Sequence, residues 1–320
     1  MGETAMKLRA IVFAGQGAQA IGMGKDFAEK YPECRAIFAK ADEVLGYQLS
    51  KICFEGPAED LTKTVHCQPA IFVVSMACVT ALSRETPAQW IRLGFRATAG
   101  LSLGEWTALH MADALSFEDT LRVLAARGRF MQEACEEREG SMVSVIGLPV
   151  EKLKEICATT GAEIANLNST DQTVLSGSRD AVAAAAKMAG EAGARKAIPL
   201  KVAGAYHSSL MATAARRLDE MLAGITFKQP RMTILSNVTG MPHGGPAEIR
   251  SAMVKQVTSP VQWLSSIEWL KNNGIKDYLE CGPGNVLSGL IKRIDKEAKT
   301  SNVQDVTTLQ QAVTVVGDGN

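Results

Sequence analysis

Aromatic residues make up only 5% of this 320-residue chain, but a hydrophobic content of 46% is ordinary for a soluble globular protein and excludes disorder as the default. Net charge is also missing, with 34 basic and 34 acidic residues. The global field therefore gives no reason to expect nucleic acid or an anionic membrane surface as partner, and a charged partner must be met by a local patch. Seven cysteines are scattered without a CxxC pair or histidines at zinc-ligand spacing, which excludes a disulfide framework and a zinc site. Reduced, mostly buried thiols in a reducing compartment are expected. The most apolar run, PAIFVVSMACVTAL, is interrupted by Ser and Thr and is shorter than the roughly 20 residues of a bilayer span. MGETAMKLRA carries no long apolar leader segment, so a cytoplasmic location with no membrane contact is expected. Repeats and low-complexity tracts are lacking.

What is present is an alternation of strand-like and helix-like segments. LRAIVFAGQGAQ reads as a buried strand running into a glycine turn, the end of a parallel sheet at which function gathers. Residues 26–45 and 68–82 read as helices, the second apolar nearly all round and so a core helix. From residue 141 the order changes to strand (MVSVIG), helix (VEKLKEICAT), two strands (EIANLN, QTVLSGS), an alanine-rich helix and a final strand (ARKAIPLKVA). That βαββαβ order predicts a ferredoxin-like unit. After it come a helix (SSLMATAARRLDEMLAGI), a strand (RMTILSNVTG), and a strand, glycine turn and helix (IKDYLECGPGNVLSGLIKRI). The fold class expected is α/β: a hydrolase-like, doubly wound parallel sheet core from residues 1–138 and 207–300, with an inserted ferredoxin-like α+β subdomain at 139–206. Residues 301–320 are polar and are expected to form a peripheral tail.

GLSLGEW places Ser102 in GxSxG between a strand and a helix. Small flanking residues permit a sharp turn, and the helix start places the Leu103 N–H near a developing oxyanion. A serine needs a base, and the chain has four histidines: His66, His110, His207 and His243. His110 lies eight residues beyond Ser102, about 12 Å along a helix, too far to share its proton. His243, in MPHGGP, reads as an exposed turn, and His66 as a cap or packing residue. His207, in AGAYHSSLM at the junction of the small unit and the body, lies where interdomain sites form, although a histidine merely starting a helix would look the same.

Six segments occur in order: FAGQGAQ (13–19), GLSLGEW (100–106), ARGRFMQ (126–132), AYHSSLM (205–211), SPVQW (259–263) and GPGNVLSGL (282–290). In them the chain resembles the malonyl-CoA:acyl carrier protein transacylase family, over roughly residues 8–295. The resemblance implies a malonyl-serine on Ser102, with His207 as base and then acid, oriented by the main-chain carbonyl at Gln256. It implies an oxyanion hole of Gln16 and Leu103, with Arg127 on the malonyl carboxylate and Met131 on the same helical face. Bulk at Tyr206 favours malonyl over methylmalonyl, and Asn166 and Asn168 resemble an Asn-containing cleft segment of the family, which implies a pantetheine contact, although an Asn-rich turn would look the same. The implied substrate is malonyl-CoA and the partner an acyl carrier protein, with no tightly bound cofactor, no metal and a monomeric state. An acidic carrier predicts basic residues near the entrance, for which Arg195, Lys196, Lys292 and Arg293 are candidates, although each taken singly reads as solvated surface charge. Two departures stand out: Leu101 replaces the histidine usual before the nucleophile, and FAGQG replaces FPGQG. Rival readings are an editing acyl hydrolase of the same fold, another acyltransferase, and a non-catalytic carrier-docking module.

Overall fold

The computed structural model describes residues 8–86 and 94–317. The N-terminal stretch 1–7, expected to hold no apolar leader, lies outside the described residues, as do the last three residues of the expected tail. Nine strands occur among the described residues: β1 (Arg9–Phe13), β2 (Phe95–Gly100), β3 (Gly140–Ile146), β4 (Glu163–Ser169), β5 (Gln172–Ser178), β6 (Lys196–Pro199), β7 (Thr233–Ile234), β8 (Asp277–Cys281) and β9 (Lys299–Val303).

Five of them form one parallel sheet in the order β7-β2-β1-β8-β9. Strand β1 lies at its centre with every residue buried, which explains its unbroken apolar run, since a central parallel strand has no solvated face. From β1 the chain moves to β2 on one side and later to β8 on the other. The crevice outside the carboxyl end of β1 is thus a switch point of the sheet.

The apolar helix is longer than its core segment suggested, Thr64–Glu85, and is buried along most of its length. By length and composition it could cross a membrane, but 83% of its apolar window lies inside the fold, so it serves as the central core helix. The helix expected over 26–45 is two, Lys25–Lys30 and Pro32–Leu45, because Pro32 cannot continue the first but suits the first turn of the second.

The inserted unit is ferredoxin-like, with four antiparallel strands in the order β4-β5-β3-β6 and its own core around Val143, Leu153, Leu175 and Ala185. The last strand is shorter than expected. It ends at Pro199; Leu200 keeps one bond to the Met142 carbonyl of β3 (2.9 Å), and Leu200–Val202 line a cavity. Edge strand β4 is docked on the body by Val261 of SPVQW, whose N–H donates to Ala165 and whose carbonyl accepts from Leu167 (2.8 and 2.9 Å).

The expected tail is a correction. Residues from Ser301 onward contribute to the edge strand β9 and to the helix Val306–Gly317, with Val303, Leu309 and Ala312 buried in the main core. A half-buried edge strand with only Val303 fully buried, followed by a helix that buries one face, reads in sequence as a polar stretch.

Candidate active site

Ser102 occupies the turn between β2 and the helix Leu103–Met111 with φ 56° and ψ −106°, a conformation strained for any side chain. The flanking glycines make the turn possible. A Cβ on Gly100 would lie 2.0 Å from the Gly104 carbonyl group, and one on Gly104 would lie 2.2 Å from the Phe13 carbonyl oxygen of β1. Asn237 clamps the turn from outside. Its Oδ1 accepts from the Ser102 N–H (2.7 Å) and its Nδ2 donates to the Gly100 carbonyl (2.8 Å).

His207 follows the small subdomain, also at positive φ (58°), and its Nε2 lies 2.8 Å from Ser102 Oγ. Its Nδ1 donates to the Gln256 carbonyl (2.8 Å), which fixes the tautomer and leaves Nε2 free to accept the serine proton. Burial, with Arg127 adding repulsion, pushes the His207 imidazole down to about 4, so it is neutral at physiological pH.

Arg127 comes from the helix Phe117–Glu137 and is 1% exposed. Its Nη2 donates to Ser102 Oγ and to Gln256 Oε1 (3.1 Å each), and its Nη1 donates to Gln68 Oε1 (2.6 Å). All three acceptors are neutral, and its Nε is buried without a partner. Burial lowers it to about 10, still charged at neutral pH, with Glu105 favouring the charge. The adjacent Gly128 explains the RG dipeptide. A Cβ there would lie 2.4 Å from the Thr64 carbonyl, so glycine lets this helix close on the core helix and brings Gln68 to Arg127.

A cavity of about 220 Å³ joins these groups. Apart from Gln256, every residue that the sequence pointed to for catalysis or for the acyl and pantetheine groups lines it: Gln16, Leu101, Ser102, Leu103, Arg127, Met131, Asn166, Asn168, Tyr206 and His207. Gln256 stands behind it, and its side chain does more than a residue recruited for its carbonyl would. The Nε2 donates to the Ser102 carbonyl (2.9 Å) and to Glu105. Gln16 Oε1 accepts from Thr64 (2.7 Å). The Tyr206 hydroxyl is buried near Thr64 and Gln16 without a well-aligned hydrogen bond, and Asn168 Oδ1 is buried without a partner.

The acyl transferase domain family matches residues 10–315. The chain belongs to this acyl transferase family. It is 39% identical to the malonyl CoA-acyl carrier protein transacylase of Bacillus subtilis over 97% of its length and 98% of the relative's. It is 38% identical to that of Escherichia coli K12, covering 95% and 98% of the two chains. Among solved structures, an acyl-carrier-protein-S-malonyltransferase from Bartonella henselae superposes with TM-score 0.92 at 38% identity, over 97% of this chain and 99% of that one. A malonyl-transacylase solved with its type II PKS acyl-carrier protein gives 0.90 at 36% identity, over 97% and 100%.

Of the other positions in this acyl transferase, some depart from the reading of the sequence and some follow it. His243 is not an exposed turn residue: its side chain is 2% exposed, with Nε2 2.6 Å from Glu105 Oε1. His66 packs on Tyr47 and contacts the Asp60 carbonyl, and His110 packs between Phe72 and Phe117, as structural residues do. None of the four expected docking cations lines the cavity. Arg195 is paired with Asp171, Lys292 donates to the Ala298 carbonyl, Arg293 donates to Gln172, and Lys196 is exposed at the end of the small sheet. Lys201, exposed and among the lining residues, was missed. Gln68, Asn237 and Glu105 were missed as well. Only Glu105 left a signal, as a lone acid in a helix otherwise uncharged over its first two turns.

Proposed function

We propose that this chain transfers a malonyl group from malonyl-CoA to the phosphopantetheine thiol of an acyl carrier protein through a malonyl-serine on Ser102, supplying fatty acid or polyketide synthesis. The single observation that carries this reading is Arg127, a buried guanidinium beside the nucleophile with only neutral partners and an unused Nε donor. Such a cation is costly unless the reaction brings its own anion, and a planar fork suits a carboxylate. The free carboxylate of a malonyl thioester meets that need. An acetyl group would leave the cation unpaired, which gives discrimination by omission.

In the first half-reaction His207 Nε2 takes the Ser102 proton as Oγ attacks the thioester carbonyl. The oxyanion is stabilised by the Leu103 N–H, which has no intrahelical acceptor in the first helical turn, and by Gln16. The tetrahedral adduct collapses, CoA leaves as a thiol with the proton from His207, and the carrier thiol repeats the steps in reverse. Asn168 Oδ1 can accept an amide N–H of the pantetheine arm, with Asn166 beside it, while Met131 and Tyr206 bound the acyl end and Tyr206 disfavours an α-methyl branch. Leu101 gives the wall beside Val286 and Leu290 an apolar surface where a histidine is usual. Every step is assigned to a side chain or N–H of the chain, so we propose no tightly bound cofactor, and further a monomer in the cytoplasm, where free thiols persist.

Intact-protein mass spectrometry after brief exposure to malonyl-CoA or acetyl-CoA tests this. A malonyl adduct is expected that is absent in Ser102→Ala and lost in favour of acetyl in Arg127→Ala, and that moves to added carrier protein. Equal loading of acetyl by the unaltered chain, or hydrolysis without transfer, would replace it with the acyl hydrolase reading.

A further inference from the structure

Glu105 is completely buried, one turn past the nucleophile, and the reaction above does not use it. Its Oε1 accepts from His243 Nε2 (2.6 Å) and from the Asn237 N–H (3.1 Å), and its Oε2 accepts from Gln256 Nε2. The two residues it contacts through these bonds are those that hold the Ser102 turn and Arg127: Asn237, held at its main-chain N–H while its side chain clamps the turn, and Gln256, held at its side-chain amide. An ionised carboxylate is acceptor only, so it forces the nitrogen of Gln256 to face it. The oxygen of the same amide must then face Arg127 Nη2, at 3.1 Å, while the nitrogen also reaches the Ser102 carbonyl at 2.9 Å. Reversing that amide would put an NH₂ group against a guanidinium and an oxygen against a carboxylate. His243 arrives from the turn after β7 and occupies the remaining oxygen, which keeps the carboxylate from rotating.

We infer that Glu105, braced by His243, is a positioning residue for carboxylate recognition: it orients the Gln256 amide and thereby holds the Arg127 fork beside Ser102. The inference rests on the reading of Arg127 as the malonyl anchor. The Glu105 charge also favours the charged guanidinium, as a remote counter-ion that does not occupy the fork. A carboxylate in direct contact with Arg127 would compete with the substrate; one set behind an amide does not.

Full-length Glu105→Gln, His243→Ala and His243→Gln are compared in steady-state transfer from malonyl-CoA, with residual loading of acetyl-CoA as the readout that does not use the fork. Gln at 105 can present an NH₂ group to Gln256, so one of the amide's contacts is lost. Losing a charge-assisted hydrogen bond on the fork is expected to lower malonyl-CoA kcat/KM about tenfold or more, chiefly through KM. Acetyl loading is expected to stay within about twofold, so that selectivity narrows. His243→Ala is expected to move the same way by less, and His243→Gln, which keeps an N–H for Oε1, to recover it. If Glu105→Gln does not fold, the two His243 variants carry the test alone. Parallel losses with both thioesters and no recovery in His243→Gln would reduce Glu105 to a scaffold residue and overturn the inference, as would no change in either parameter. Retained malonyl preference in Arg127→Ala would instead sink the function reading itself, whatever the Glu105 variants do.

Discussion

Ser102 and His207 both sit at positive φ, where side chains other than glycine are strained, and they are the two residues whose atoms must meet. Strain at the nucleophile makes a stability prediction that contacts alone do not. Ser102→Gly removes the strained Cβ, and Ser102→Ala keeps it, so both abolish acylation but the glycine variant is expected to be more stable than the alanine variant by about 1 kcal/mol, read as a higher Tm. Equal Tm values would mean that the turn is not strained. The histidine makes a pH prediction. Its folded value is depressed to about 4 from an ordinary value near 6.5. Between those limits the unfolded chain binds a proton that the folded chain does not, so this residue's contribution to stability is intact above pH 6.5 and is lost progressively as pH falls toward 4. The acid limb of serine acylation is likewise expected near pH 4. Arg127→Ala removes a repelling cation and should move that limb upward; an unmoved limb would assign the depression to burial alone. Ser102, His207 and Arg127 were legible because each stands in a distinctive motif. His243 was not, since MPHGGP has the composition of an exposed turn and its burial depends on Glu105, which is distant in sequence.

At the scale of elements, the site is a meeting of segment ends that close packing makes possible. The turn after β2 seats on β1 through Gly104, and the helix Phe117–Glu137 closes on the core helix through Gly128. Gly104→Ala forces a Cβ into backbone that cannot move without parting β1 from the Leu103–Met111 helix, and a cost of about 1–3 kcal/mol or more is expected in chemical denaturation. Acylation should fall with it, because the same shift withdraws Ser102 from His207. A variant of unchanged stability would show that the turn can relax outward. The βαββαβ order of the small subdomain was legible from periodicity, since each of its elements is local. Strand lengths were less so: RMTILSNVTG contains only the two strand residues of β7, because Ser236 and Asn237 are diverted to turn and clamp contacts that the apolar pattern does not encode.

For the whole molecule, the polar C-terminal stretch is where pattern reading and packing diverge most. Strand β9 closes one edge of the main sheet, and the helix Val306–Gly317 covers it, packing on the core helix as well. Asp26 Oδ2 accepts from the Val306 N–H at 2.6 Å and so pins this helix to the first helix of the chain. Leu309 and Ala312 are essentially without exposure. Deleting residues 306–320 would open that face of the core while leaving every residue that lines the cavity in place. Exposing a buried leucine and its aliphatic neighbours costs on the order of 1.5–3 kcal/mol per large side chain. Since 1 kcal/mol moves Tm by about 2–4 °C in chains approaching this size, a fall of roughly 5 °C or more is expected in the truncated protein. Malonyl loading at low temperature should survive, because the cavity is built on the carboxyl ends of β1 and β2 and on the small subdomain, away from the removed helix. An unchanged Tm would restore the peripheral tail that composition suggests. Loss of loading in a protein that remains folded would instead show that the edge helix supports the site through the core helix, which carries Gln68 to Arg127.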